Sequence, residues 1–153
     1  MEAQMQEKTH SSIEINSDLE SCLSVILDVE NYPSWAKDIK EVNVLDRDPE
    51  NRPLLVKFRT AAFGRSTTYT LKYDYSEYPD KIAWNQIQGD ITTKIDGSYH
   101  LQFDGSKTKV NYELEIEAKV PLPGFIKRRA ESRLIQVALS ELKNQIEKTI
   151  TTK

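Results

Sequence analysis

Four tyrosines, Tyr69, Tyr73, Tyr99 and Tyr112, lie in alternating, strand-like stretches of a 153-residue chain that also carry Phe58 and Trp84. If these residues share the dry face of a sheet, their rings compete for one space, and two chemistries become available. Neutral phenols donate hydrogen bonds to a molecule with an apolar body and a polar end. A phenol with a lowered pKa would instead serve as a proton shuttle while a reactive chain is folded. The plain alternative is that the rings fill a core, as large apolar residues commonly do. Each buried hydroxyl left without a partner costs about 1–3 kcal/mol, so several inward tyrosines favour a wet or ligand-filled space.

Other chemistry is sparse. His10 falls near an N-terminal strand, and His100 alternates with Tyr99 and so faces outward; neither is placed as a base beside the phenols. Cys22 lies on the apolar stripe of a helix and reads as structural. A single cysteine forms no internal disulfide and no thiolate zinc cluster. No phosphate loop, His-x-x-x-His pair, EF-hand spacing or nucleophile elbow occurs, so neither a cofactor nor a metal site is expected.

The elements that must position these residues follow from periodicity. Thr9 to Ile15 reads as a short strand. Ser17 and Glu20 make a capping-box pattern ahead of Leu19, Cys22, Leu23 and Ile26, which predicts a first helix from about Asp18 to Asp28. VENYPSW then predicts a short second helical turn, because Pro33 suits a helix's first turn and little else regular. Six strands follow, carrying Val42 and Val44; Leu54, Val56 and Phe58; Tyr69 to Tyr75; KIAWNQIQ; Ile95 to Phe103; and Val110 to Ala118. Each has one dry and one wet face, which predicts an antiparallel sheet. PLPG opens a helix from about Gly124 to Ile150. Its apolar residues Leu134, Ile135, Val137, Ala138, Leu139, Leu142 and Ile146 span an arc of about 200°, too wide for a surface helix. The expectation is an α+β fold in which a curved sheet of about seven strands grips a long C-terminal helix. One domain covers residues 1–153, with residues 1–8 read as a flexible tail.

Three segments, DVENYPSWAKDIKEVNVL, DGSYHL and VPLPGFIKRRAESRLIQVALSELK, resemble the helix-grip fold of the START-like (SRPBCC) superfamily. They are similar to its bacterial polyketide cyclase/dehydrase-like and coenzyme Q-binding-like branch. The resemblance implies a pocket between sheet and last helix, lined by Trp35, Phe58, Tyr69, Tyr73, Trp84, Tyr99, Tyr112, Leu134 and Ala138. In that family the segment after the first helix borders the cavity, so Tyr32, Pro33 and Trp35 would form a flap beside the mouth; the alternative is a plug closing the sheet's open end. Lys127 and Glu131 project in line with the apolar arc, which would set them over the same mouth. The alternative is an i,i+4 ion pair on a solvated first turn.

The leading expectation is binding or transport of a lipid, isoprenoid or polyketide-like molecule, without catalysis. The alternatives are an aromatase/cyclase or dehydratase and a protein-interaction module. The formal net charge of −3 and the outward row Glu113, Glu115 and Glu117 disfavour nucleic acid. The basic run Lys127, Arg128 and Arg129 invites transient contact with a membrane surface. No apolar run reaches the roughly 20 residues of a membrane span, and MEAQMQEKTH lacks signal-peptide order, so a cytoplasmic protein is expected.

Overall fold

The computed structural model describes residues 8–62 and 64–151; the expected tail, but for Lys8, lies outside them. The chain forms β1 (Thr9–Ile15), α1 (Leu19–Leu27), a 3-10 turn (Val29–Ser34), β2 (Ile39–Arg47), β3 (Pro53–Ala62), β4 (Arg65–Asp74), β5 (Lys81–Gly89), β6 (Thr92–Phe103), β7 (Thr108–Ala118) and α2 (Gly124–Thr151). All seven strands join one antiparallel sheet in the order β1-β7-β6-β5-β4-β3-β2. Five hairpins account for most of that order. β1 is the exception, and pairs with the last strand through Ile13 opposite Val110 and Thr9 opposite Leu114. With β1 brought beside β7, α1 and α2 lie on the same dry face.

Local chemistry sets the turns. Gly105 sits at φ 99° in the β6–β7 hairpin, a conformation glycine adopts without steric penalty. There the Asp104 carboxylate accepts from the amides of Ser106 and Lys107, each at 2.9 Å. The cap of α1 differs from the expected box by one residue. Asp18, not Ser17, is the N-cap, and its carboxylate accepts from the Ser21 amide at 2.8 Å. Ser17 is buried and tied elsewhere, its carbonyl accepting from the Thr108 hydroxyl at 2.8 Å. The Ser17 hydroxyl donates to the Asp18 carbonyl at 3.1 Å, which leaves the Asp18 carboxylate to cap the helix start.

The wide apolar arc of α2 resolves into two stripes. At about 100° per residue, Ile135, Leu139, Leu142 and Ile146 fall within roughly 60° of one another; all four are buried in the core with Ile15, Cys22, Ile26 and Val110. Leu134, Val137, Ala138 and Glu141 form the adjacent stripe, which borders a cavity instead. One helix face thus supplies stability and its neighbour lines empty space. Cys22 is fully buried within the first group, and burial pushes its thiol above the ordinary value.

Candidate functional site

The cavity lies between α2, the 3-10 turn and the concave face of β3 to β7, with a volume of about 200 Å³. Two connected series of rings line it. Trp35 meets Tyr32 edge-on at 5.1 Å between centroids, Tyr32 tilts against Phe58 at 6.5 Å, and Phe58 stacks on Tyr69 at 5.6 Å. In the second series Tyr73 meets Trp84 at 5.9 Å, Trp84 meets Tyr99 at 5.2 Å, and Tyr99 meets Tyr112 at 4.8 Å. Gly97, opposite Trp84 across β5 and β6, makes room for the indole: a Cβ there would lie 2.6 Å from it.

The hydroxyls divide into committed and open ones. Tyr32 donates to the Ile26 carbonyl and so fastens the 3-10 turn to α1. Thr67 donates to the Asp90 carboxylate at 2.6 Å, and Thr92 to the Gln86 side chain at 2.5 Å, so both offer the cavity only lone pairs. Among the described residues, Tyr73, Tyr99 and Tyr112 make no hydrogen bond through their hydroxyls, and no fully buried side-chain oxygen or nitrogen lacks a partner. Their three phenol protons are therefore open to the cavity space.

Burial raises the pKa of every tyrosine that lines the cavity. Tyr69 is pushed up to about 12, with the Thr60 hydroxyl acting in the opposite direction. Tyr99 rises further through burial alone. Tyr32, Tyr73 and Tyr112 rise well above the ordinary value through burial and then through repulsion between neighbouring phenolates. These groups are neutral donors at physiological pH. A phenol with a lowered pKa, the requirement for a tyrosine base, is not found here.

The linkage has a definite sign. A phenol whose folded pKa exceeds the unfolded value of about 10 leaves stability unchanged below pH 10, where both states are protonated. Above pH 10 the unfolded chain loses protons that the folded chain retains, so stability falls as pH rises toward the folded values. The expected ultraviolet titration shows the cavity phenols silent between pH 10 and 11, then ionising together with loss of the fold. Smooth ionisation of all the tyrosines near pH 10 with the fold intact would contradict this placement.

Two acidic residues not anticipated from sequence, Asp38 and Glu141, complete the lining. Glu141 accepts from the Lys37 amide at 3.2 Å, and the Asp38 carbonyl accepts from the Ala61 amide at 2.8 Å. These contacts fasten the segment after the 3-10 turn between α2 and the end of β3. Among the described residues, no cation lines the cavity.

Trp35, Phe58, Tyr69, Tyr73, Trp84, Tyr99, Tyr112, Leu134 and Ala138 all line this cavity, as does Tyr32. Pro33 does not; it is exposed on the outer side of the turn. Lys127 and Glu131 are also elsewhere, which corrects the mouth expected of them. They share the azimuth of the cavity stripe, but Lys127 lies eleven residues before Ala138, about 16 Å along the axis. Glu131 is 3% exposed and accepts from the Thr9 hydroxyl at 2.6 Å and the Ile116 amide at 2.7 Å. Lys127 bridges Glu115 at 3.5 Å and Glu131 at 3.9 Å. Both border a second depression with Pro121, Leu122 and Gly124, and Ile116 separates it from the aromatic cavity by lining both. Burial opposes ionisation of Glu115, yet Lys94 and Lys127 hold its carboxyl below the usual range.

A sequence profile described as "Polyketide cyclase / dehydrase and lipid transport" matches residues 15–143. The chain belongs to that family. The polyketide cyclase/dehydrase family lies within the START-like superfamily, whose seven-stranded sheet and long C-terminal helix this chain shares. A START superfamily protein from Mycobacterium smegmatis superposes with a TM-score of 0.88 at 22% identity, over 94% of this chain and 99% of that one. The Zhui aromatase/cyclase from Streptomyces sp. R1128 gives 0.78 at 15% identity, covering 92% and 93%. A STAR-related lipid transfer protein from Xanthomonas axonopodis gives 0.70 at 12% identity, covering 90% and 84%. At such identities the likeness concerns the fold. No curated protein matches the sequence. No helix among the described residues is long and apolar enough to cross a membrane.

Proposed function

We propose that this polyketide cyclase/dehydrase family member binds one small, uncharged, largely apolar molecule with oxygen acceptors, and holds it without a covalent step. The observation that carries this reading is the cavity of about 200 Å³ lined by three tyrosines whose hydroxyls have no hydrogen-bond partner among the described residues. An apolar cavity of about 150 Å³ accepts benzene, so this space suits one substituted ring or two fused ones. Carbonyl or ether oxygens would accept from Tyr73, Tyr99 and Tyr112. A lipid or polyketide-like chain would have to extend past the mouth. The family's description and the neutral phenols also leave room for a cyclase that polarises a carbonyl by hydrogen bonding, without a tyrosine base.

The charged lining narrows the ligand further, because it includes two acidic residues, Asp38 and Glu141, and no cation among the described residues. A carboxylate ligand is disfavoured by like-charge repulsion. The test compares 2-acetylnaphthalene with 2-naphthoate, using intrinsic fluorescence. Both tryptophans of the chain, Trp35 and Trp84, line the cavity, so the signal reports on it directly. The ketone should bind saturably and the carboxylate roughly tenfold or more weakly, a difference of about 1.4 kcal/mol. Asp38→Asn with Glu141→Gln should close most of that gap, since the glutamine side chain keeps an oxygen for the Lys37 amide. Failure of every neutral aromatic ketone, quinone and alcohol to bind saturably would overturn the reading.

A further inference from the structure

Seven large apolar residues are prominently exposed among the described residues, and four of them, Val120, Leu122, Phe125 and Ile126, fall within seven positions of the loop into α2. Val120 is 75% exposed and Phe125 69%, so their side chains jut outward and contribute little to the core. Scattered single apolar residues need no explanation, but a contiguous cluster marks an interaction surface. The charges around it are one-sided. Residues 119–129 contain Lys119, Lys127, Arg128 and Arg129 and no acid, within a chain of formal net charge −3. Lys127 is turned inward to Glu115 and Glu131. Lys119, Arg128 and Arg129 are exposed, and among the described residues none has an ion-pair partner.

We propose that the segment Lys119–Arg129 is a docking surface for an anionic lipid bilayer. Val120, Leu122, Phe125 and Ile126 enter the headgroup region, and Lys119, Arg128 and Arg129 meet lipid phosphates around them. Charge complementarity selects this occupant over a second copy of the chain. A symmetric pairing through Phe125 sets one copy's Arg128 and Arg129 near the other's, whereas an anionic bilayer compensates all three cations at once. Highly exposed side chains that jut outward also suit a fluid that closes around them. The net negative charge of the remaining chain is repelled by the same surface, which orients this end toward it. The depression behind Leu122 shares Ile116 with the aromatic cavity, so the docked end is also one the cavity approaches. The proposal itself does not depend on a guest in that cavity.

The experiment is flotation of the full chain with vesicles of phosphatidylcholine alone and of phosphatidylcholine with phosphatidylglycerol, at low and high salt. Binding is expected on the anionic vesicles, with attachment falling as salt screens the charges. Attraction amounts to roughly fivefold per cation near an anionic surface, so Arg128→Gln with Arg129→Gln should weaken binding about 25-fold. Val120→Ser with Phe125→Ser should weaken it roughly tenfold or more by removing the inserted surface. Leu45→Ser, at an exposed apolar residue on β2, should leave it unchanged. All these side chains are exposed, and fluorescence titration with 2-acetylnaphthalene separately reports whether the cavity is intact. No flotation with anionic vesicles at low salt, or flotation insensitive to the Val120 and Phe125 changes, overturns the proposal. So does a dimer in solution that those two changes dissolve, which would assign the patch to a second copy.

Discussion

Changing Ala138 to phenylalanine should abolish guest binding, weakening the affinity for 2-acetylnaphthalene by more than about 100-fold, while the protein stays folded. Ala138 stands on the cavity stripe of α2, among Leu134, Val137 and Glu141, and faces the rings of the sheet across the cavity. A phenyl group needs much of the space that benzene occupies in a cavity of about 150 Å³, so little of the available 200 Å³ would remain. The core stripe of Ile135, Leu139, Leu142 and Ile146 lies beside the change and is not itself substituted, so it keeps its packing in the core. Overpacking of a filled core costs about 1–3 kcal/mol, but a ring entering empty space gains contacts, so the midpoint of thermal unfolding should hold or rise. Ala138→Leu should give an intermediate loss of affinity. Unchanged binding in Ala138→Phe would place the guest outside this cavity, whichever molecule it is.

The same stripe shows what the sequence discloses and what it hides. Alternation along β4, β6 and β7 was sufficient to predict strands with one dry face, because a strand's side-chain period is two and the sheet is covered on one side. The wide apolar arc of α2 implied an enclosing sheet. Periodicity alone did not separate the core stripe from the cavity stripe, since both are apolar and adjacent. The signal that could have done so is Glu141, which continues the spacing of Leu134, Val137 and Ala138 with a carboxylate where a packed core would hold a methyl group. Asp38 carried no such signal, because the fold of the turn that presents it depends on contacts with β3 and α2. Lys127 and Glu131 were misplaced for a geometric reason: projection down a helix preserves azimuth and discards height, and these residues stand at the cavity's azimuth one to three turns away. Pro33 fits a tight turn, but its ring faces outward while Tyr32 and Trp35 face in. The aromatic residues were legible as types, whereas the free volume among them follows from ring orientations that no spacing encodes.

Glu131 offers the sharpest test of that correction, because a structural anchor and a mouth residue predict opposite results. Its carboxylate joins three elements: Thr9 on β1, Ile116 on β7 and Lys127 on its own helix. Glu131→Ala would leave the Ile116 amide and the Thr9 hydroxyl without their acceptor and remove one of Lys127's two carboxylates. Each buried donor left without its acceptor costs about 1–3 kcal/mol, so the two together are a large share of the 5–15 kcal/mol that holds a domain together. For a chain of this length, at about 3 °C per kcal/mol, the unfolding midpoint should fall by roughly 6–18 °C, and α2 should loosen at its N-terminal end first. Glu131→Gln keeps one oxygen for one of the two donors and should lose about half as much. Affinity for 2-acetylnaphthalene should change less than about twofold in Glu131→Gln, since the side chain lies on the far side of Ile116 from the guest. A small change in stability with a collapse in affinity would return Glu131 to the mouth of the cavity. The expected result, a large loss of stability with binding preserved, makes the buried carboxylate the joint that holds the gripping sheet to its helix.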